Sequence, residues 1–178
     1  VNQTILDKTF VPYITQIELQ KAIKRISEEI NKDYVGKTPL FIAILNGSFM
    51  FAADLFKEIN IPSEISFIKL ASYKGTKSTG SVVTAIGLES EIYDRDVVVI
   101  EDIIDTGKTL SEFLPQLIHQ QAKSLKVCSL LHKKEATKYP IEIDYLGFVI
   151  PDLFVVGYGL DYNGYGRNLK EIYQLLSE

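Results

Sequence analysis

The chain reads as an α/β fold, a mostly parallel twisted sheet with helices on both faces, and three observations predict it. Short β-branched runs alternate with helical patterns, the central run Val97-Val98-Val99-Ile100 is apolar throughout, and a glycine-containing turn follows it into a helix. Alternation of this kind builds parallel sheets, and a continuously apolar strand is one covered on both faces. With 178 residues, 46% of them hydrophobic, the chain is long enough for one well-buried core and short for two. Residues 1–178 are therefore expected to form one domain with a small appendage.

Each element has its own signal. Thr15-Gln16-Ile17-Glu18 is a capping box, and Leu19, Ala22, Ile23, Ile26 and Ile30 then recur at helical spacing, which predicts a helix to about Lys32. Leu40 to Leu45 reads as a strand, Phe49 to Glu58 as a helix, Glu64 to Leu70 and Val82 to Gly87 as strands. The central strand covers Val97 to Ile100, followed by a helix over Leu110 to Gln121 and strands over Ser124 to Leu131, Asp144 to Phe148 and Phe154 to Gly157. Between two strands, Ala71 to Val82 is small, polar and cationic, which fits either a solvated hairpin tip or a mobile lid over a ligand.

Composition narrows the partners. A net charge of -4 provides no general field for nucleic acid and points to a small molecule or a protein instead. The single Cys128 has no internal disulfide partner and sits in an apolar stretch, as a buried thiol would. Without a signal-like N-terminus or an apolar run of about 18 residues, the expectation is a cytoplasmic chain that does not engage a membrane.

The chemistry concentrates after the central strand, in Glu101-Asp102-Ile103-Ile104-Asp105-Thr106-Gly107-Lys108-Thr109. Backbone N–H groups from Thr106 to Leu110, two threonine hydroxyls and a helix N-terminus offer an anion several donors, and Gly107 allows close approach. Glu101 and Asp102 repel that anion and so serve another part of the ligand, a sugar diol or a magnesium ion. A diol at one end and a phosphate at the other describe a ribose 5-phosphate. A Walker A loop is excluded because the glycine it needs ahead of Gly107 is Asp102. A dinucleotide fingerprint at Gly157-Tyr158-Gly159 is excluded because its third glycine falls at Tyr162. The plainer reading of the turn is a strand-to-helix connection capped by Asp105.

A hydrophobic strand followed by Glu-Asp-Ile-Ile-Asp-Thr-Gly-Lys-Thr-Leu resembles the phosphoribosyl diphosphate motif of hypoxanthine-guanine phosphoribosyltransferases. Leu45 to Phe49, Ala53 to Leu55, Ser72-Tyr73, Leu130 to Lys133, Pro151 to Tyr158, Leu160 to Asn163 and Arg167 resemble family segments in family order. Coverage runs from about Phe10 to Leu169. The resemblance implies the type I phosphoribosyltransferase fold, with a hood from the N-terminal segment and residues 150–178 and a lid over 71–82. It implies transfer of a phosphoribosyl group from phosphoribosyl diphosphate to hypoxanthine or guanine, with magnesium. A different base preference, such as xanthine, or a non-catalytic regulator that binds phosphoribosyl diphosphate are the alternatives.

Residue roles follow from the same resemblance. Glu101 and Asp102 hold the ribose and its metal, Thr106, Gly107, Lys108 and Thr109 grip the 5-phosphate, and Asp105 faces the purine as the catalytic group. Asn46 and Gly47, Ser72 and Tyr73 of the lid, and Arg167 bind the diphosphate. Lys133, Phe154, Val155 and Asp161 bind the purine, and Asp161 also contacts magnesium. On composition alone Phe154 is a core residue, Lys133 a surface lysine and Asp161 a turn former. His132 is read as structural. Two departures stand out: Asn46 replaces the basic residue of many relatives, and Gly166 replaces an aromatic residue of some. In the family the Asn46–Gly47 peptide can be cis and direct an N–H at the diphosphate. A homodimer or homotetramer is implied as well.

Overall fold

The computed structural model describes residues 1–73, 82–88 and 90–176. In chain order the strands and helices are β1 (Gln3–Ile5), β2 (Lys8–Ile14), α1 (Gln16–Asp33), β3 (Leu40–Leu45), α2 (Phe49–Lys57), β4 (Glu64–Tyr73) and β5 (Val82–Ile86), then β6 (Asp96–Ile104), α3 (Lys108–His119), β7 (Ser124–His132), β8 (Tyr145–Val149), β9 (Val155–Val156) and β10 (Ile172–Leu175).

Local rules account for α1. The Thr15 hydroxyl accepts from the Glu18 N–H at 3.3 Å, and the Glu18 carboxylate accepts from the Thr15 N–H at 2.8 Å. This is the reciprocal capping box the sequence predicts, and Leu19, Ala22, Ile23, Ile26 and Ile30 form the buried face. Thr15→Ala is expected to lower stability by about 1 kcal/mol, read as a lower melting midpoint with activity unchanged.

The main sheet has the order β5-β4-β3-β6-β7-β8. Its strands β4, β3, β6, β7 and β8 are parallel, and β5 is antiparallel at one edge. Alternation along β3 and β6 divides the core in two. Phe41, Ala43, Val98 and Ile100 pack with α1 and α2 on one face, while Leu40, Ile42, Val97 and Val99 pack with Leu110, Phe113 and Leu117 of α3 on the other. Helices therefore cover both faces, as expected, and the central strands are apolar on both sides because neither side meets water. Cys128 is fully buried, and burial pushes its thiol well above the ordinary range.

A second sheet, β1-β2-β10-β9, is antiparallel and joins the N-terminal and C-terminal segments. Sequence patterning missed three of its four strands. β2 carries Pro12, which sits opposite Tyr173 where the β10 register shifts, so no clean alternation marks it. The strand β4 also runs three residues past its expected end, and Ser72 and Tyr73 pair with Val83 and Val82 of β5. The remainder of the expected lid, 74–81, lies outside the described residues. Among the described residues no helix is long and apolar enough to cross a membrane.

Candidate active site

Strand order sets the location. From β3 the chain moves outward to β4, and from β6 it moves the opposite way to β7, so the neighbours β3 and β6 flank the point where the winding reverses. Crevices open there, beyond the carboxyl ends of the strands. β3 pairs with β6 only as far as Ala43 opposite Ile100. β6 then continues to Ile104 beside β7 alone. Glu101 and Asp102 thus lie within the strand and not after it, a correction to the expected end at Ile100. Continued pairing with β7 keeps this stretch extended, and the departure of β3 leaves room on its other side.

That room is filled by the turn after β3. A Cβ on Gly47 would overlap the Asp102 carboxylate, so only glycine allows this approach. The cis bond of the turn is Leu45–Asn46, one residue before the expected Asn46–Gly47, at the point where the chain leaves the sheet. The Phe49 N–H then closes the turn on the Asn46 carbonyl at 3.3 Å, and the Ser48 hydroxyl donates to the Ile44 carbonyl at 2.5 Å.

Glu101 is only 8% exposed. Burial first, and the adjacent Asp102 charge second, hold its carboxyl well above the usual range. Burial likewise raises Asp102, which accepts from the Ile103 N–H at 2.9 Å through its own carboxylate. Two acidic groups forced together short of donors are a receptor for hydroxyls or a hard cation.

Beyond Ile104 the chain turns into α3. Gly107 is the N-cap at φ 81°, and a Cβ there would overlap the Tyr139 carbonyl. Asp105 is therefore not the helix cap, which removes the plainer reading of this turn. The Thr106 carbonyl is held from outside by the N–H groups of Lys138 and Tyr139 at 3.0 and 2.9 Å. A cleft of about 270 Å³ lies against Glu101, Ile104 and all of Asp105 to Leu110. Its size suits a phosphate and part of a sugar, and the first N–H groups of α3 line it.

Asp105 instead faces sideways. The Lys133 ammonium lies 3.1 Å from the Asp105 carboxylate and 3.3 Å from Asp152. Lys133 itself is only 8% exposed, so it is not the surface lysine composition alone describes. Its position follows from strand pairing: β6 and β7 end together at Ile104 and His132, and the Lys133 N–H bonds the Ile104 carbonyl at 2.9 Å. The Thr137 hydroxyl lies within 3.2 Å of the Asp105 carbonyl and 2.9 Å of His132 Nε2, bracing the same corner. Burial and the Lys134 charge lower the His132 pKa, and the ring serves this bracing role. Asp152 has no expected role in the sequence, since its partner Lys133 comes within reach only where the end of β7 meets the 150s.

Phe154 is 46% exposed and forms one wall of an aromatic corner. Its ring lies 5.9 Å from Tyr162, edge-on, and 6.2 Å from Phe10. Tyr162 and Phe10 were not among the expected site residues. Next to it, β9 is the edge strand of the second sheet, and the Leu175 N–H bonds the Phe154 carbonyl at 2.9 Å. Antiparallel pairs alternate, so Val155 opposite Gln174 turns its own N–H and carbonyl to the free edge.

Asp161 and Arg167 pair with each other at 2.8 Å, and Asp161 also accepts from the Gly164 N–H at 2.6 Å. Asp161 is not gathered with Glu101 and Asp102; among the described residues no cluster of three metal-ligating side chains forms. Arg167 donates to the Gly159 carbonyl at 2.7 Å, and its charge moderates the rise at Asp102. Gly159 presses on the Gly47 carbonyl, where a Cβ would overlap. The Asn46–Gly47 turn, the carboxylate pair and Arg167 thus converge although they are far apart in sequence. Backbone places Ser72 and Tyr73 at the end of β4; their side chains lie outside the described residues.

Main-chain donors at the head of α3 beside a buried acidic pair, at the switch point of a parallel sheet, define an α/β protein with a candidate anion cleft at its strand ends. The family model described as Phosphoribosyl transferase domain matches residues 14–163. The chain is 42% identical over 160 residues to a Listeria monocytogenes protein named Bifunctional protein TilS/HprT, covering 89% of this chain and 25% of that one. It therefore spans a quarter of the length of that relative. It is 41% identical over 160 residues to the hypoxanthine-guanine phosphoribosyltransferase of Bacillus subtilis, covering 89% of each. A crystal structure of a hypoxanthine phosphoribosyltransferase from Staphylococcus aureus superposes with a TM-score of 0.86 at 42% identity, covering 93% of this chain and 90% of that one. The chain belongs to the phosphoribosyltransferase family.

Proposed function

We propose that the protein transfers the 5-phosphoribosyl group from phosphoribosyl diphosphate to N9 of hypoxanthine, and also of guanine, forming the nucleotide and diphosphate. The observation that carries this reading is the buried Lys133 ammonium on Asp105 at 3.1 Å, at the end of the phosphate turn. It joins a donor for a 6-oxo group to a proton acceptor, which is the pair of groups a 6-oxopurine needs.

The roles follow from charge. Glu101 and Asp102 hold the ribose hydroxyls, and residues Thr106 to Thr109 hold the 5-phosphate. Phe154 stacks on the purine, Val155 reads its edge through backbone groups, and Lys133 donates to the 6-oxo oxygen. As the N9–C1′ bond forms and the C1′–O bond to diphosphate breaks, Asp105 takes the proton from N7. Positive charge develops on the sugar and negative charge on the leaving oxygen, so catalysis is electrostatic positioning without a nucleophilic side chain. The Asn46–Gly47 turn and Arg167 meet the diphosphate, with Arg167 exchanging the Asp161 carboxylate for phosphate oxygens, and Ser72 and Tyr73 close over it.

The buried acidic pair has the hard oxygen donors that magnesium prefers, and its raised titration marks a charge deficit that a divalent cation would fill. When bound there, magnesium would neutralise diphosphate charge and hold the ribose oxygens, with Asp161 reaching it through water. The same reading takes residues 1–178 as one domain hooded by the second sheet, working in the cytoplasm as a homodimer or homotetramer.

Incubation with magnesium, phosphoribosyl diphosphate and each of hypoxanthine, guanine, xanthine, adenine and uracil tests the reaction. Diphosphate release is expected with hypoxanthine, then guanine. Release with none of them would sink the enzymatic reading in favour of a phosphoribosyl-diphosphate-binding regulator.

A further inference from the structure

Residues 157–159 hold three successive positive φ angles, 96° at Gly157, 51° at Tyr158 and 101° at Gly159. A tyrosine is an uncommon occupant of that region, and it persists only where its surroundings impose it. Here the ring is buried, 4% exposed, and its hydroxyl donates to the Asp54 carboxylate at 2.6 Å. Asp54 lies on α2, the helix that begins directly after the Asn46–Gly47 turn. Burial and the facing carboxylate push the phenol well above its ordinary pKa, so it stays a donor throughout the working pH range.

Asp54 also pairs with Lys57 at 2.6 Å, and on the other side of the bond the backbone of Tyr158 and Gly159 leads to the proposed diphosphate end of the site. The Tyr158 N–H bonds the Leu169 carbonyl at 2.9 Å and the Gly159 N–H bonds the Arg167 carbonyl at 3.0 Å. The Gly159 carbonyl accepts the Arg167 guanidinium, and Gly159 rests on the Gly47 carbonyl. The purine wall at Phe154 is anchored mainly from another direction, by the Leu175 N–H of β10, and meets this loop at the edge of the Tyr162 ring. We propose that Tyr158 is a positioning residue whose hydroxyl, bonded to Asp54, fixes Arg167 against the Gly47 turn and so sets affinity for the diphosphate of the substrate. This rests on the phosphoribosyl transfer proposed above.

Tyr158→Phe removes the hydroxyl and keeps the ring. It is expected to raise KM for phosphoribosyl diphosphate by about tenfold and to leave kcat and KM for hypoxanthine within about threefold. Affinity for inorganic diphosphate with magnesium, measured by calorimetry, falls by a similar factor. Asp54→Asn, whose amide oxygen still accepts the phenol proton, stays near the unmodified protein. Asp54→Leu reproduces the Tyr158→Phe split, and the double variant is no worse than either single one. Unchanged KM for phosphoribosyl diphosphate in a folded Tyr158→Phe protein overturns the proposal. So does an equal rise of both KM values, which a general loosening would produce. Should Tyr158→Phe fail to fold, Asp54→Leu decides by the same split. If the unmodified protein turns over no base, the transfer reading falls, and the calorimetric comparison still decides the role of Tyr158.

Discussion

Asp105→Asn is expected to lower turnover by about 10²- to 10⁴-fold, the range that positioned acid–base groups contribute. Asparagine keeps the shape of the side chain and a hydrogen bond to Lys133, whose ammonium lies 3.1 Å from the carboxylate it would replace. It cannot accept the proton that the purine must lose. In the proposed roles the 5-phosphate sits on the Thr106 to Thr109 turn, whose geometry depends on Gly107 and the Thr106 carbonyl rather than on the Asp105 side chain. KM for phosphoribosyl diphosphate should therefore move by less than about threefold while kcat collapses. Steady-state rates with hypoxanthine measure both. Near-normal kcat would remove Asp105 from the chemistry, and a parallel loss of substrate affinity would make it a binding group.

Glu101→Gln should make the protein more stable and less able to bind its sugar substrate. Burial and the Asp102 charge raise the folded-state pKa of Glu101 far above 4.5. Between 4.5 and that raised value the folded protein keeps a proton that the unfolded chain has released, so stability falls as pH rises through this window. Glutamine carries no charge to bury. Its melting midpoint should match the unmodified protein near pH 4 and exceed it by several °C at pH 8, since about 1 kcal/mol moves a domain of this size by about 2–4 °C. Affinity for phosphoribosyl diphosphate with magnesium should drop by at least about tenfold, because one of two acceptors for the diol and metal is lost. A variant less stable than the parent at pH 8 would show that the acidic pair is not held at a cost. Substrate affinity without change would remove Glu101 from the ribose site.

Much of the fold was legible because its signals are local. The α1 cap lies within four residues, the strand β3 begins and ends where an apolar run does, and the burial of both faces is written in that run. The turn proposed for the phosphate was legible for the same reason, since the donors it offers are its own backbone N–H groups. The ends of elements were less so. Glu101 and Asp102 look like the end of a strand by polarity, yet the stretch remains extended because β7 pairs with Glu101, Ile103 and Ile104 around Asp102. The second sheet was only anticipated as a hood, since β2 and β10 lie at opposite ends of the chain and Pro12 disrupts the pattern.

The sequence by itself determined the parallel α/β class and, through family resemblance, the candidate residues of the proposed ribose phosphate site. Tertiary structure decided how those residues are paired. Lys133 became a buried partner of both Asp105 and Asp152, and Gly47 was set against Asp102 and Gly159. Propensity, capping and alternation act over a few residues along the chain, and so they can be read there. Burial of a charge, the approach of one backbone to another and the sharing of an ammonium between two carboxylates depend on segments about 20 to 110 residues apart, and they exist only once the sheet has brought those segments together.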